Sequence, residues 1–196
     1  MDAALREELL DLQRRDGATR ARLLAAGRLY GDYAEEMQQV HRRNAERLAA
    51  IVAAQGWPGR TLVGTDGARA AWQIAQHAIC TPALQRGFHV QLTAAVAAGE
   101  ATPLQLAYLT DRIRFNEQRP QCYGLVLDWN AAGELGCVLE APAGVDARRA
   151  AVGLPPFAED LARQRAAVAA EGGTCPAEYA AYRARATAWA HRTGWL

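Results

Sequence analysis

The stretch AWQIAQHAICTP, residues 71–82, combines a nearly continuous apolar pattern with two adjacent polar side chains. Apolar residues surround most of a helix that we predict over residues 66–80, which places this helix in the protein interior. Gln76 and His77 then have few directions that reach water. Because a buried polar group without a partner is costly, the pattern predicts that these two side chains contact other polar groups in the core.

Working outward from this stretch, the chain is predominantly helical. Periodic apolar residues predict helices over 2–28, 33–55 and 82–98, and a fifth helix begins at Thr102–Pro103, an N-cap followed by proline. RTLVGTDG, just before the central helix, is predicted to be a loop. The segments QCYGLVLDW and GELGCVLEA flank the turn NAAG and predict two short strands.

Three further helical segments follow the strands: a short one at DARRAAVGL, one over 157–170, and a tail with Tyr179, Tyr182, Ala186 and Trp189 at helical spacing. We therefore predict a mainly α fold, a single helical-bundle-like domain with a small β-hairpin insertion near 121–140. Its predicted parts are an N-terminal helix (1–30), a helical core (31–120), the β-hairpin (121–140) and C-terminal helices (145–196).

Composition excludes several classes of chemistry. The 196 residues include no serine and no lysine, which excludes a serine nucleophile, a Schiff-base lysine and a Walker-type phosphate loop. The net charge of +1 gives no support for a nucleic-acid partner. No apolar run is long enough for a membrane span, and the acidic N-terminus is unlike a signal peptide, so we predict a cytoplasmic location.

Polar residues interrupt two apolar helix faces. His41 and Asn44 share a face with three core-like residues, and Asp111 lies on a face between two aromatic residues. One hypothesis is that six side chains from the second, third and fifth helices meet in one polar pocket: His41, Asn44, Gln76, His77, Asp111 and Arg112. The alternative is that each is a satisfied core group without a catalytic role.

Metal and thiol chemistry have weaker support. None of the four histidines has a second histidine or a carboxylate three or four residues further on, so we predict no metal and no cofactor. The four cysteines are scattered, which is typical of reduced thiols. Cys80 lies one helical turn after His77 and is a candidate thiolate, although a small buried apolar role is the stronger interpretation.

Several segments together resemble a known family: HRRNAERLAAIVAAQGWPGRTLVG, AAWQIAQHA, LAYLTDRIRFNEQRPQCYG and VDARRAAVGLPPF. In this order and spacing they are similar to an uncharacterised bacterial family called domain of unknown function 6624, over about residues 30–165. The resemblance implies a site that adds Trp72, Gln121, Tyr123, Arg148 and Arg149 to the six residues above. It implies no particular reaction.

The chain also departs from the family pattern. Ile79 stands where the family has aspartate, Gln118 where it has glycine, and Leu125–Val126 where it has Thr-Gln. These changes remove polar groups from the hairpin side of the predicted pocket. They indicate a more apolar substrate or an altered or lost activity, for instance a specialised role in making a secondary metabolite.

Two functions follow from these observations. The first is a small enzyme with cofactor-independent acid–base chemistry, a hydrolysis, cyclisation, elimination or isomerisation of a small molecule. His77 is the main acid or base, with Asp111 orienting it and His41 beside it. The residues that we predict to bind the substrate are Gln76, Asn44, Arg112, Gln121, Tyr123, Arg148, Arg149 and Trp72.

The second function is a non-catalytic helical module that binds a small ligand or a partner protein. In that case the buried polar groups set packing specificity, and a tail rich in tyrosine and tryptophan (Tyr179, Tyr182, Trp189 and Trp195) covers a partner surface. For the arginines of the first function, the alternative is a role in surface ion pairs. The sequence leaves homo-oligomerisation open under either function.

Overall fold

The structure, a computed structural model, describes residues 1–28 and 33–196. The predicted boundary at residue 30 therefore lies outside the described residues. The chain divides into two compact units, residues 1–106 and residues 107–196. Whether they act as the single domain that we predict stays untested.

The first unit consists of helices. They are α1 (Ala3–Ala25), α2 (Glu35–Gln55), α3 (Arg60–His77), a 3-10 turn (Ala78–Cys80), α4 (Pro82–Ala97) and the start of α5 (Pro103–Asn116). Asp2 caps α1, its side chain accepting a hydrogen bond from the backbone N–H of Leu5. The core lies where α1, α2 and α3 face one another, and it includes Leu9, Leu48 and Ile74, all nearly inaccessible to water.

The predicted loop before α3 was wrong in part, because α3 already begins at Arg60. Gly64 interrupts the helix with φ 72° and ψ 170°, a backbone conformation that residues with a side chain rarely adopt. In the turn before Gly64, the backbone N–H groups of Leu62 and Val63 donate hydrogen bonds to the backbone oxygen of Gly59. A glycine that breaks a helix without ending it explains why the segment resembled a loop in sequence.

The second unit contains the hairpin and the remaining helices. Strands β1 (Asp128–Trp129) and β2 (Leu135–Gly136) pair antiparallel, with Trp129 opposite Leu135. The helices are α6 (Val145–Ala151), α7 (Phe157–Ala170) and α8 (Tyr179–Thr193). The mainly α fold with a small β-hairpin is thus confirmed. Among the described residues, every helix is too short or too polar to cross a membrane.

Candidate acid–base site

Helix α3 runs parallel to α1 at a nearly constant register. The Arg6 guanidinium Nε donates to Asp66 Oδ1 at 2.9 Å, and Gln13 Nε2 donates to Gln73 Oε1 at 2.6 Å. Both pairs are 60 residues apart in sequence, so each turn of α1 meets the turn of α3 about 60 residues later. The same register places residue 16 of α1 beside residue 77 of α3.

Helix α2 runs antiparallel to α1. Asn44 Nδ2 donates to the backbone oxygen of Leu12 at 3.2 Å, and the Arg47 guanidinium pairs with Glu8 one turn away. Following this register toward the start of α2 brings His41 to the same turn of α1 as Asp16. Three helices therefore converge on one buried carboxylate.

Asp16, His41 and His77 form a compact cluster. His77 Nδ1 lies 2.6 Å from Asp16 Oδ2, a hydrogen-bond distance, and His41 Nε2 lies 3.4 Å from the same oxygen. The two imidazole rings are 5.0 Å apart between centroids. Asp16 is 2% exposed, whereas the His77 side chain is 32% exposed. One face of the cluster is thus sealed, and the His77 ring reaches solvent.

The charge of Asp16 is fixed by its two imidazole neighbours. Burial by itself raises the pKa of the carboxyl group, but the contacts with His77 and His41 outweigh burial and hold the pKa well below its ordinary value. Asp16 is therefore a carboxylate at neutral pH. A buried carboxylate accepts a hydrogen bond from His77 Nδ1, which fixes the tautomer and orientation of the ring.

His41 is held from its other side by Tyr33. The Tyr33 hydroxyl contacts His41 Nδ1, and burial raises the pKa of Tyr33, so its hydroxyl keeps its proton. With only 10% of its side chain exposed, His41 supports Asp16 rather than facing solvent. Tyr33 was not among the residues that the sequence predicted.

The cluster also provides three atoms of the kind that bind transition metals, all within 4.8 Å of one another. Neighbouring ligands of a tetrahedral zinc are about 3.3 Å apart, as follows from metal–ligand bonds of about 2.0 Å. The 2.6 Å between His77 Nδ1 and Asp16 Oδ2 is shorter and suits a shared proton. In this geometry the contact between His77 and Asp16 is a hydrogen bond.

Gln76 and Trp72 lie on the central helix α3, as predicted. Gln76 is buried, and its Oε1 has no hydrogen-bond partner among the described residues, while its backbone oxygen accepts from Gln85 Nε2 at 3.0 Å. Trp72 donates through Nε1 to the backbone oxygen of Gln105 at 2.9 Å. Gln85 is thus a further buried amide that the sequence analysis did not single out.

Asp111, in the second unit, binds the backbone of the loop at residues 122–125. Its carboxylate accepts hydrogen bonds from the backbone N–H groups of Cys122 at 2.7 Å, Tyr123 at 3.0 Å and Leu125 at 3.1 Å. Burial raises the pKa of Asp111, and the backbone hydrogen bonds oppose this only in part. The carboxylate that contacts His77 is Asp16, so the role we predicted for Asp111 as its orienter has no support in these contacts.

The other residues implied by the family resemblance also bind backbone. Gln121 closes the same loop, donating to the Val126 oxygen at 2.6 Å and accepting from the Val126 N–H at 2.9 Å. Gly124 in this loop has φ 71°, and a side chain there would meet the Phe157 ring at 2.4 Å. Glycine is therefore required by both conformation and space.

Arg148 and Arg149 anchor α6 to the loop. Arg148 donates to the backbone oxygens of Cys122 and Glu140 at 2.8 and 2.7 Å. Arg149 is 0% exposed, donates to the Tyr123 oxygen at 2.7 Å and pairs with Asp160 at 2.5 Å. These contacts are structural, and their predicted role as substrate ligands stays untested.

The structure also describes Arg112, Cys80 and two of the residues that depart from the family pattern. Arg112 is half-buried, and burial lowers the pKa of its guanidinium. Burial also raises the pKa of the Cys80 thiol, which disfavours the thiolate and agrees with a small apolar role. Leu125 and Val126, which depart from the family pattern, contribute backbone N–H groups to Asp111 and Gln121.

Asp16 is the main residue that the sequence analysis missed. It follows Arg14 and Arg15 and precedes glycine, a context typical of an exposed helix face. A signal was nevertheless present, because Asp16 continues the apolar stripe of Leu5 and Leu9 toward Leu23, and all four are buried. An acidic residue within an apolar stripe would have predicted a partnered carboxylate.

The comparisons with known proteins give a family without a function. Neither the curated proteins nor the solved structures include a match to this chain. One family model matches residues 3–169, most of the chain, and is described as a family of unknown function, DUF6624. Asp16, His41 and His77 all lie within the matched residues. The chain therefore belongs to the DUF6624 family, as the sequence motifs predicted.

Proposed function

We propose that the chain is a small enzyme that performs cofactor-independent acid–base chemistry on a small molecule, with His77 as the proton-transferring group. The observation that supports this most directly is the 2.6 Å contact between His77 Nδ1 and a carboxylate that is almost inaccessible to water. A buried carboxylate behind a partly exposed imidazole is the usual arrangement of a histidine general base.

The proposed mechanism follows from the charges of the pair. A ring proton on His77 Nδ1 is donated to ionised Asp16, so Nε2 is the nitrogen that accepts a proton from substrate or water. The imidazolium that forms is stabilised by the carboxylate, and His77 then returns the proton to the leaving or rearranged group. The same residue thus acts first as base and then as acid, and no net proton is gained.

His41 is a positioning residue in this proposal. Its Nε2 faces the same Asp16 oxygen at 3.4 Å, and Tyr33 holds its other nitrogen. His41 Nε2 has no hydrogen-bond partner among the described residues, so in this proposal the imidazole acts on the Asp16 carboxylate through its proximity and not through a hydrogen bond. Hydrolysis, cyclisation, elimination and isomerisation all require such a proton transfer.

The experiment compares wild type with H77Q and with a matched control, H191Q, in a helix of the other unit. Each protein is incubated with a metabolite extract, and consumed and formed compounds are identified by mass spectrometry, with and without EDTA. We expect one or more compounds to be converted by wild type and by H191Q at similar rates. H77Q should convert them at least about a hundredfold more slowly, which is a typical general-base contribution. EDTA should leave the rate of wild type unchanged.

Three outcomes would overturn the proposal in whole or in part. Unchanged turnover by a folded H77Q would show that another group transfers the proton, and a complete absence of turnover by wild type would remove the case for an enzyme. Loss of turnover in EDTA would instead contradict the cofactor-independent chemistry. Thermal melting of each variant separates these results from simple unfolding.

A further inference from the structure

The second unit contains a cavity of about 570 Å³, a volume suited to a small organic molecule. Its apolar wall is dominated by aromatic rings that come from four different segments of the unit. These rings are Phe115, Trp129, Phe157, Tyr179 and Trp189. Flat aromatic walls favour a planar ligand, because ring faces and edges pack well against one another.

The charged residues that line the cavity are unequal in sign. Three arginines, Arg119, Arg165 and Arg183, line it with one acidic residue, Asp128. Asp128 is already engaged, since Arg183 donates to it at 3.0 Å and the Tyr182 hydroxyl donates to its other oxygen. The cavity therefore has an excess of positive charge and favours an anionic ligand.

Arg165 is the arginine best placed to bind that anion. Its Nε donates to the backbone oxygen of Leu135 at 2.8 Å, which fixes the guanidinium at the hairpin. Within the described ranges, its two terminal amino groups have no hydrogen-bond partner. Arg119, by contrast, pairs with Glu117 at 3.0 Å. A guanidinium that is anchored through Nε can donate two parallel hydrogen bonds from its terminal amino groups to a carboxylate.

Asn116 provides a second, independent indication of a ligand. It lines the cavity, it is only 7% exposed, and its Nδ2 has no hydrogen-bond partner in the part of the chain that the structure describes. A buried amide donor without a partner carries a desolvation cost that a ligand oxygen would remove.

We propose that this cavity is a binding site for a small aromatic carboxylate. The ring lies among the aromatic side chains, the carboxylate accepts hydrogen bonds from Arg165, and Asn116 donates to an oxygen of the ligand. The site goes beyond the acid–base function proposed for the first unit and does not depend on it.

Isothermal titration calorimetry with two probes tests the site. The probes are 2-naphthoate and 2-naphthamide, which share a ring system and differ in charge. We expect wild type to bind 2-naphthoate about tenfold more tightly than the amide, as one charge-assisted hydrogen bond predicts. R165Q should remove this preference by weakening only naphthoate binding. The matched control is R163Q, whose arginine lies on the same helix but does not line the cavity.

Further variants separate the ring from the charge. Trp129→Ala should weaken both probes equally, and Asn116→Leu should weaken naphthoate binding while circular dichroism stays unchanged. Equal affinity of wild type for the two probes, equal binding by R165Q and R163Q, or no binding of either probe would overturn the proposal. Because neither probe is expected to act at His77, failure here leaves the acid–base proposal to its own test.

Discussion

Asp16 and Asp111 are both buried carboxylates, yet their surroundings push the two pKa values in opposite directions. Asp16 contacts two imidazole rings, which hold the pKa of its carboxyl group below the ordinary range. Asp111 accepts hydrogen bonds from the backbone N–H groups of Cys122, Tyr123 and Leu125, and burial raises the pKa of its carboxyl group. The comparison shows that burial alone does not set the direction of a carboxyl pKa shift, because the hydrogen-bond partners decide whether the effect of burial is outweighed.

The largest effect is expected from removing the loop-binding carboxylate. D111A leaves three backbone N–H groups without their acceptor, and each buried unsatisfied donor costs about 1–3 kcal/mol. We expect the free energy of unfolding to fall by about 3–5 kcal/mol, measured by urea denaturation. D11A, which removes an exposed ion pair with Arg15, is the control and should change it by less than about 1 kcal/mol.

A loss of under about 1 kcal/mol for D111A would show that water replaces the carboxylate at this loop. In that case the two aspartates would differ in the direction of their pKa shifts but not in their contribution to stability.

A smaller effect is expected at the acid–base site. D16N keeps the shape of the side chain but removes its charge, and we expect a loss of about 1–2 kcal/mol at pH 7. Because the folded-state pKa of Asp16 is lowered, its contribution is complete above the unfolded-state pKa of about 3.9 and is lost as the pH falls further. The difference between wild type and D16N should therefore shrink below about pH 4.

Urea denaturation of both proteins between pH 3 and pH 7 measures this difference. If it stays constant over that range, the contacts with the two histidines do not lower the pKa of Asp16, and the contrast with Asp111 is wrong.

The smallest effect is spectroscopic and leaves the protein unaltered. In a pH titration followed by the 13C chemical shifts of the aspartate carboxyl groups, Asp16 should titrate below the ordinary aspartate range and Asp111 above it. Superimposable curves for the two buried residues would remove the contrast between the two regions.

The sequence predicted the elements of the fold better than their register. Periodicity located His41 and Asn44 on a helix face that is buried, because apolar spacing reports which face of a helix lies against the core. His77, which its apolar surroundings predicted to be buried, has a side chain that is 32% exposed. The sequence could not show which turn of α1 meets which turn of α3, since that offset of about 60 residues depends on tertiary contacts such as Gln13 with Gln73. For the same reason Asp111, a carboxylate on an equally apolar helix face, was assigned to His77 in place of Asp16.

Helix α8 begins at Tyr179, beyond the stretch that the family model matches, and it supplies Tyr179, Arg183 and Trp189 to the cavity of the second unit. A reaction discovered in any DUF6624 protein that has the same carboxylate and imidazoles can be tested directly on this chain. The family match ends before α8, so a ligand discovered for another DUF6624 protein gives no evidence about what this cavity binds. Ligand binding at the cavity has to be measured on each protein separately.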